Sequence, residues 1–266
     1  MQQPVSQAPV RPAALSLMLI GVAGGTLSGL FGIGGGTIIV PALALWLLMP
    51  QKLSAGTSVA AILPTAIVGA TTYAIHSNVD WAAAIALAVG IIIGAQVGSW
   101  LLSRVPVHVV RWVFMGFLAV VIVSLWFVVP QREDTISLTI LTALLLVVTG
   151  FITGILSGLL GVGGGVVVVP VLMFFFGASD LVAKGTSLLM MIPGSISGTL
   201  GNMRRGNVDL RAAAFVGVAA AVFVPVGATL AGLLDPFWGN LAFSAYLLFL
   251  LCQMLVREVR MRRNAA

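Results

Sequence analysis

Charge is the scarcest property of this sequence. Only 8% of its 266 residues are Asp, Glu, Lys or Arg, whereas soluble domains carry roughly 25%. Cysteine occurs once, at Cys252, which excludes an intrachain disulfide and any CxxC metal or redox pair. Its neighbours are apolar, so core packing is expected there. His76 and His108 are loop residues and too few for a metal site, so neither metal nor other cofactor is expected. No Asp, Glu, Lys or Arg falls in the middle of an apolar run, and a buried proton relay is therefore not visible. No HExxH motif is present, and no histidine lies within a span to serve a membrane-embedded serine nucleophile. An enzyme is not expected.

What remains is apolar. Hydrophobic residues make up 60% of the chain, too many to be covered by a polar surface, so lipid must be the solvent for most of it. The 31 glycines and 12 prolines are tolerated by membrane helices. Almost no length is left for a water-soluble domain. The net charge of +6 sits in short gaps between apolar runs and at the C-terminus. Without a basic stripe, nucleic acid is excluded as a partner, and the positive-inside rule is the plain reading. Arg11 followed by Ala13 to Ala23 passes for a secretory signal. The apolar run continues to Phe31, however, and its motif recurs in mid-chain, so it reads as a mature membrane element.

The chain repeats itself at an offset of 129 residues. Gly25 to Pro41 reads GTLSGLFGIGGGTIIVP, and Gly154 to Pro170 reads GILSGLLGVGGGVVVVP. The register continues without a gap. Gly56-Thr57-Ser58 matches Gly185-Thr186-Ser187, Pro64 matches Pro193, Gly69 matches Gly198, and Asn78-Val79-Asp80 matches Asn207-Val208-Asp209. Conserved spacing of Gly, Pro, Asn and Asp is not a product of shared apolar composition, so two copies of one unit are expected.

Apolar segments run over 13–31, 36–49, 54–75, 82–102 and 108–129, then 136–160, 165–177, 183–203, 211–234 and 238–256. A spanning helix needs about 20 residues, so 36–49 and 165–177 are too short to cross comfortably. Counted as ten crossings, one side receives Arg11, Lys52, Arg104, Arg111, Arg204, Arg205, Arg211, Arg257, Arg260, Arg262 and Arg263. The other side receives only Arg132 and Lys184. This bias puts both termini in the cytoplasm. An odd number of crossings per half then turns the second copy upside down. If segments one and two of each half form a re-entrant hairpin, parity is unchanged. The expected fold is an all-α polytopic membrane protein of two inverted repeats with about ten membrane segments. Residues 1–12 form an N-terminal tail, 13–130 the first repeat, 131–135 a linker, 136–256 the second repeat and 257–266 a basic cytoplasmic tail.

The glycine clusters carry the chemistry. Gly34, Gly35 and Gly36, with Gly163, Gly164 and Gly165, each precede an apolar helix. Glycine admits positive φ and lets backbone approach a ligand. A helix start at membrane depth offers N–H groups without intrahelical partners and a partial positive charge, which suits an anion. Close packing of small residues competes as an explanation, more so for Ser28-Gly29 and Ser157-Gly158 than for the triple glycines. A dinucleotide-binding fingerprint is rejected, because no Asp or Glu lies between Gly36 and Asp80. Thr57, Ser58, Thr186 and Ser187 are either helix caps or hydroxyl donors to an oxyanion. Asp80 and Asp209 read as helix caps, with a proton-coupling role the weaker alternative. Gln96 is a lone amide in an apolar segment, and Lys184, Arg204 and Arg205 could draw an anion to a vestibule.

The duplicated SGLFGIGGGTIIVP and SGLLGVGGGVVVVP, each followed by GTS and a proline, resemble the TauE/SafE family of sulfite exporters and related permeases. The likeness spans about residue 15 to 255. It implies transport of a small anion, a sulfur-containing oxoanion such as sulfite or an organosulfonate such as sulfoacetate, across a bacterial inner membrane. A membrane scaffold without transport is the main alternative. The lipid bilayer and a small anionic substrate are the expected partners. Substrate binding is expected at Gly34–Gly36, Gly163–Gly165, Thr57, Ser58, Thr186 and Ser187.

Overall fold

The computed structural model describes residues 13–101, 112, 115, 116, 118, 119, 122, 123 and 139–263, with no strand among them. The tail 1–12, most of the segment 108–129 and the linker 131–135 lie outside the described residues. Among the described residues, nine α-helices with full bounds follow one another: α1 (Ala14–Phe31), α2 (Gly36–Pro41), α3 (Gln51–Ile75), α4 (Trp81–Leu101), α5 (Ile140–Leu160), α6 (Gly165–Phe176), α7 (Asp180–Met203), α8 (Leu210–Leu233) and α9 (Pro236–Arg263). Each expected segment within the described residues is a helix. Among the described residues, six helices are long and apolar enough to cross a membrane: α1, α3, α4, α5, α8 and the Phe237–Val256 part of α9. The two short helices stay short. Helix α6 has 12 residues and reaches only about 18 Å at 1.5 Å per residue, against a hydrocarbon core of about 30 Å. Helix α2 widens after Pro41 into a π-helical turn over Ala42–Trp46.

Outward faces carry Leu15, Ile67, Ile85, Ile93 and Leu144, all exposed, as lipid-facing surface requires. Trp46, Trp81, Trp100 and Trp238 stand exposed near helix ends, where interfacial aromatic side chains collect. Cys252 is also exposed, on α9. The expectation of core packing fails there because apolar neighbours do not distinguish a protein core from a lipid-facing helix.

Glycines set the helix pairing. On α1, Gly21 abuts Val216, Gly25 abuts Ala220 and Gly29 abuts Val224, so α1 and α8 run parallel. On α4, Gly90 abuts Val147, Gly94 abuts Phe151 and Gly98 abuts Ile155, so α4 and α5 run parallel too. A methyl group on Gly90 would lie 2.0 Å from the Val147 carbonyl oxygen, a separation only glycine permits. This is small-residue packing between membrane helices, as the Ser28-Gly29 and Ser157-Gly158 positions suggested. The central pair, α3 and α7, is antiparallel: Gly198 meets Val59 at one level and Gly69 meets Leu188 at another. Helix α3 runs parallel to α8, with Gly217 against Ala61 and Gly69 against Val224. Helix α7 runs parallel to α4, with Gly194 against Ile91 and Gly201 against Ser99. Helices 129 residues apart in sequence, α1 and α5, α3 and α7, α4 and α8, therefore point in opposite directions.

Candidate functional site

The two glycine clusters meet at the centre of the bundle. Gly32, Gly34 and Gly35 have φ of 69°, 74° and 75°, and Gly161, Gly163 and Gly164 have φ of 73°, 85° and 89°. These left-handed values are strained for any other residue, and they end α1 and α5 and reverse the chain into α2 and α6. The segments cross with opposite sense. A methyl on Gly36 would lie 2.7 Å from the Gly161 carbonyl oxygen, and one on Gly165 would lie 2.5 Å from that of Gly32. Between these contacts, Gly34 faces Met191 and Ile62, and Gly163 faces Ile62.

Each crossing segment leads into a helix start. The first backbone bonds of α2 run from the Ile38 and Ile39 N–H groups to the Gly35 carbonyl, and those of α6 from Val167 and Val168 to Gly164. The preceding N–H groups, of Gly36 and Thr37 and of Gly165 and Val166, stand at the free ends of the two helices. No acidic residue lies in the first turn of either helix. Two partial positive helix ends are thereby brought to one region.

The hydroxyls of the GTS motifs are committed in a crossed pattern. Ser58 Oγ donates to the Gly161 carbonyl at 2.9 Å, and Ser187 Oγ donates to the Gly32 carbonyl at 3.0 Å. Thr186 Oγ1 accepts from the Asp80 N–H at 2.9 Å, and Thr57 Oγ1 accepts from the Asp209 N–H at 3.0 Å. All four side chains are fully buried. Asp80 and Asp209 cap their helices, each accepting at 2.9 Å, from Ala83 N–H and Ala212 N–H respectively. The expected glycines are thus gathered at the crossing, and the expected hydroxyls bind the crossing segments and the caps.

Three features were not read from sequence. Thr37, at the start of α2, shares a hydrogen bond with the Tyr246 hydroxyl of α9, and Phe31 stacks on Tyr246 at a ring separation of 5.2 Å. Thr153 sits against Gly164 with a buried hydroxyl that has no hydrogen-bond partner. Lys184 is no loop charge: it lies inside α7, buried, with Nζ 3.3 Å from Asp180 Oδ2. The motif spacing signalled the first position only as a departure, since Thr37 stands where the second copy has Val166. Gln96 is satisfied by the Ser197 carbonyl and hydroxyl at 2.8 and 3.0 Å. Arg205 donates to Ser99 Oγ and to the Gly201 carbonyl at 3.0 and 2.7 Å.

The family described as Sulfite exporter TauE/SafE matches residues 2–125 and 145–266. Probable membrane transporter protein YdhB of Bacillus subtilis is 28% identical over 194 residues, covering 70% of this chain and 77% of its own. YunE of the same organism, also a probable membrane transporter protein, is 26% identical over 216 residues, covering 73% and 79%. A probable membrane transporter protein of Haemophilus influenzae is 33% identical over 165 residues, covering 59% and 62%. No solved structure matches the chain. With matches in both halves and, among the described residues, six helices able to cross a bilayer, this is a multi-pass integral membrane protein that belongs to the sulfite exporter TauE/SafE family of membrane transporters.

Proposed function

We propose that the chain carries a small anion across a bacterial-type inner membrane by alternating access between two inverted repeats. The substrate class is a sulfur-containing oxoanion or organosulfonate, such as sulfite or sulfoacetate. The observation that carries this reading is the crossing of the two glycine segments, which brings two helix starts together with no acidic residue in either first turn. Backbone donors and helix-end charge favour an anion and repel a cation. The orphan Thr153 hydroxyl beside Gly164 adds a donor at the same place.

Opposite directions of the paired helices support inversion of the repeats in the membrane. With α2 and α6 as partial crossings and 108–129 as a further segment, the count is about ten membrane segments. Lys52 at the start of α3, Arg204 and Arg205 at the end of α7, and Arg211 at the start of α8 fall at one end of the bundle. That clustering supports cytoplasmic termini under the positive-inside rule.

The test is counterflow in proteoliposomes of purified protein. Labelled sulfite and organosulfonates are expected to exchange saturably, and amino-acid cations and sugars are not. Cation flux with no dependence on an anion would overturn the reading.

A further inference from the structure

Met191 of α7 covers the start of α6. A methyl on Gly165, the first residue of α6, would lie 2.4 Å from Met191 Cε, and one on Gly34 would lie 2.7 Å from Met191 Sδ. The thioether therefore fills space between the two glycine segments, and Met191 is only 1% exposed. Ile62 of α3 stands at the matching position of the first half. It lies against Gly163, with Cδ1 2.7 Å from where a methyl would be. The two side chains differ in stiffness. Isoleucine is β-branched and restricted at χ1, whereas methionine is unbranched, with three rotatable bonds and a polarizable thioether. Pro193, two residues past Met191, has no N–H for the Leu189 carbonyl, so α7 lacks a helical bond at this level.

The start of α6 otherwise has what a small anion requires. Gly164, its N-cap, makes no side-chain capping bond. Thr153 packs there, with Cγ2 2.5 Å from where a Gly164 methyl would be. The Thr153 hydroxyl is buried and has no hydrogen-bond partner. The other neighbours of that point are apolar side chains, Met190 at 3.6 Å and Ile91 at 3.7 Å. A hydroxyl left unpaired in such surroundings costs stability that valine, of the same shape, would not. A bound anion supplies the missing acceptor.

The start of α2 lacks this arrangement. Gly24 takes the place of Thr153, with Ile39 Cγ1 3.0 Å from where its methyl would be, and the Thr37 hydroxyl is shared with Tyr246. The orphan hydroxyl of the first half, Ser28, corresponds to Ser157 and not to Thr153.

We propose that the anion binds at the start of α6, on the Gly165 and Val166 N–H groups and the Thr153 hydroxyl, and that Met191 sets the size of anion admitted. This rests on the reading of the chain as an anion carrier. In the empty protein the Met191 thioether keeps the helix start dry. Entry of an anion requires that side chain to rotate off Gly165. The room its rotation leaves decides how much of an organic tail fits behind a sulfonate head, and Ile62 is the fixed wall beside Gly163.

The experiment titrates the purified full-length protein in detergent with methanesulfonate, ethanesulfonate and butanesulfonate, monoanions that differ only in tail length. Wild-type affinity should fall as the tail lengthens. Met191→Ala should raise the ratio of butanesulfonate to methanesulfonate affinity about tenfold, the return for burying roughly two more methylene groups. Met191→Ile keeps the volume nearly constant, a change that cores tolerate. It should unfold near the wild-type temperature yet bind all three anions several-fold more weakly. Met173→Ala, a truncation elsewhere in the same core, should lower the unfolding temperature and leave the ratio unchanged. Wild-type affinity that is independent of tail length overturns the proposal. So does a wild-type ratio in M191A, or binding at full strength by M191I. If one Met191 variant is not monodisperse, the other decides with the wild-type series. If neither sulfite nor any of the three sulfonates binds the wild type, it is the anion reading itself that fails.

Discussion

The hydroxyl of Ser58 donates to the carbonyl of Gly161 at 2.9 Å, tying a helix of the first half to the glycine segment of the second. The reciprocal bond, from Ser187 to Gly32, is 3.0 Å long. Each segment is therefore braced by the other half of the molecule. Without that brace the carbonyl would be a buried acceptor in a region with little water, which costs more than the bond itself contributes.

Ser58→Ala and Ser187→Ala should each lower stability by about 1–3 kcal/mol, the range for orphaning a buried acceptor. The pair should respond alike, since the contacts are reciprocal. Thermal unfolding in detergent measures this. A neutral result at either position would show that the carbonyl finds another partner.

Gly35→Val and Gly164→Val should remove flux per inserted molecule. Their φ values of 75° and 89° are strained for a β-branched residue. A Cβ at Gly35 would also lie 2.7 Å from the Gly24 carbonyl oxygen, displacing α1 from the segment. Gly69→Ala and Gly198→Ala are the controls, because the added methyl there meets side chains and no backbone: the ends of Leu188, Val224 and Val59, and at 4.0 Å the Ala95 Cβ. Normal flux in the motif variants would leave the glycines with packing alone.

Thr153→Val separates binding from packing. Valine has the shape of threonine and removes a buried hydroxyl that has no partner, so stability should hold or rise by up to about 1–3 kcal/mol. Anion affinity should fall several-fold. Unchanged affinity would remove Thr153 from the site.

Labelling tests the orientation of the two halves. Ser77 and Gly206 correspond across the repeat and are both exposed, with φ of 58° and 68°. After Cys252→Ser, single cysteines at these positions should react differently with an impermeant thiol reagent on intact cells: position 77 is labelled and position 206 is not. Labelling of both from outside would exclude inverted repeats.

Composition and periodicity alone determined that this chain lives in lipid, that its motifs recur at one spacing, and, to within a few residues, where the described helices lie. Glycine runs, Asn-Val-Asp caps and apolar stretches are local signals, and each acts within a few residues of itself. The positive φ at Gly34, Gly35, Gly163 and Gly164 follows the same logic. Pairing was decided elsewhere. Nothing in the local pattern says that Thr57 accepts from Asp209, 152 residues away, or that Gly36 packs on Gly161. Those contacts form only when the two halves interlock. The same holds for Lys184, which stands at the edge of an apolar run and reads as a surface charge. Its burial beside Asp180 depends on α7 being packed against α3, α4 and α6. Cys252 shows the converse, since an apolar stretch looks the same whether it meets protein or lipid. Sequence fixes what a segment can tolerate, but only the packed structure decides which of its groups lose contact with solvent, because burial is a property of neighbours brought from far along the chain.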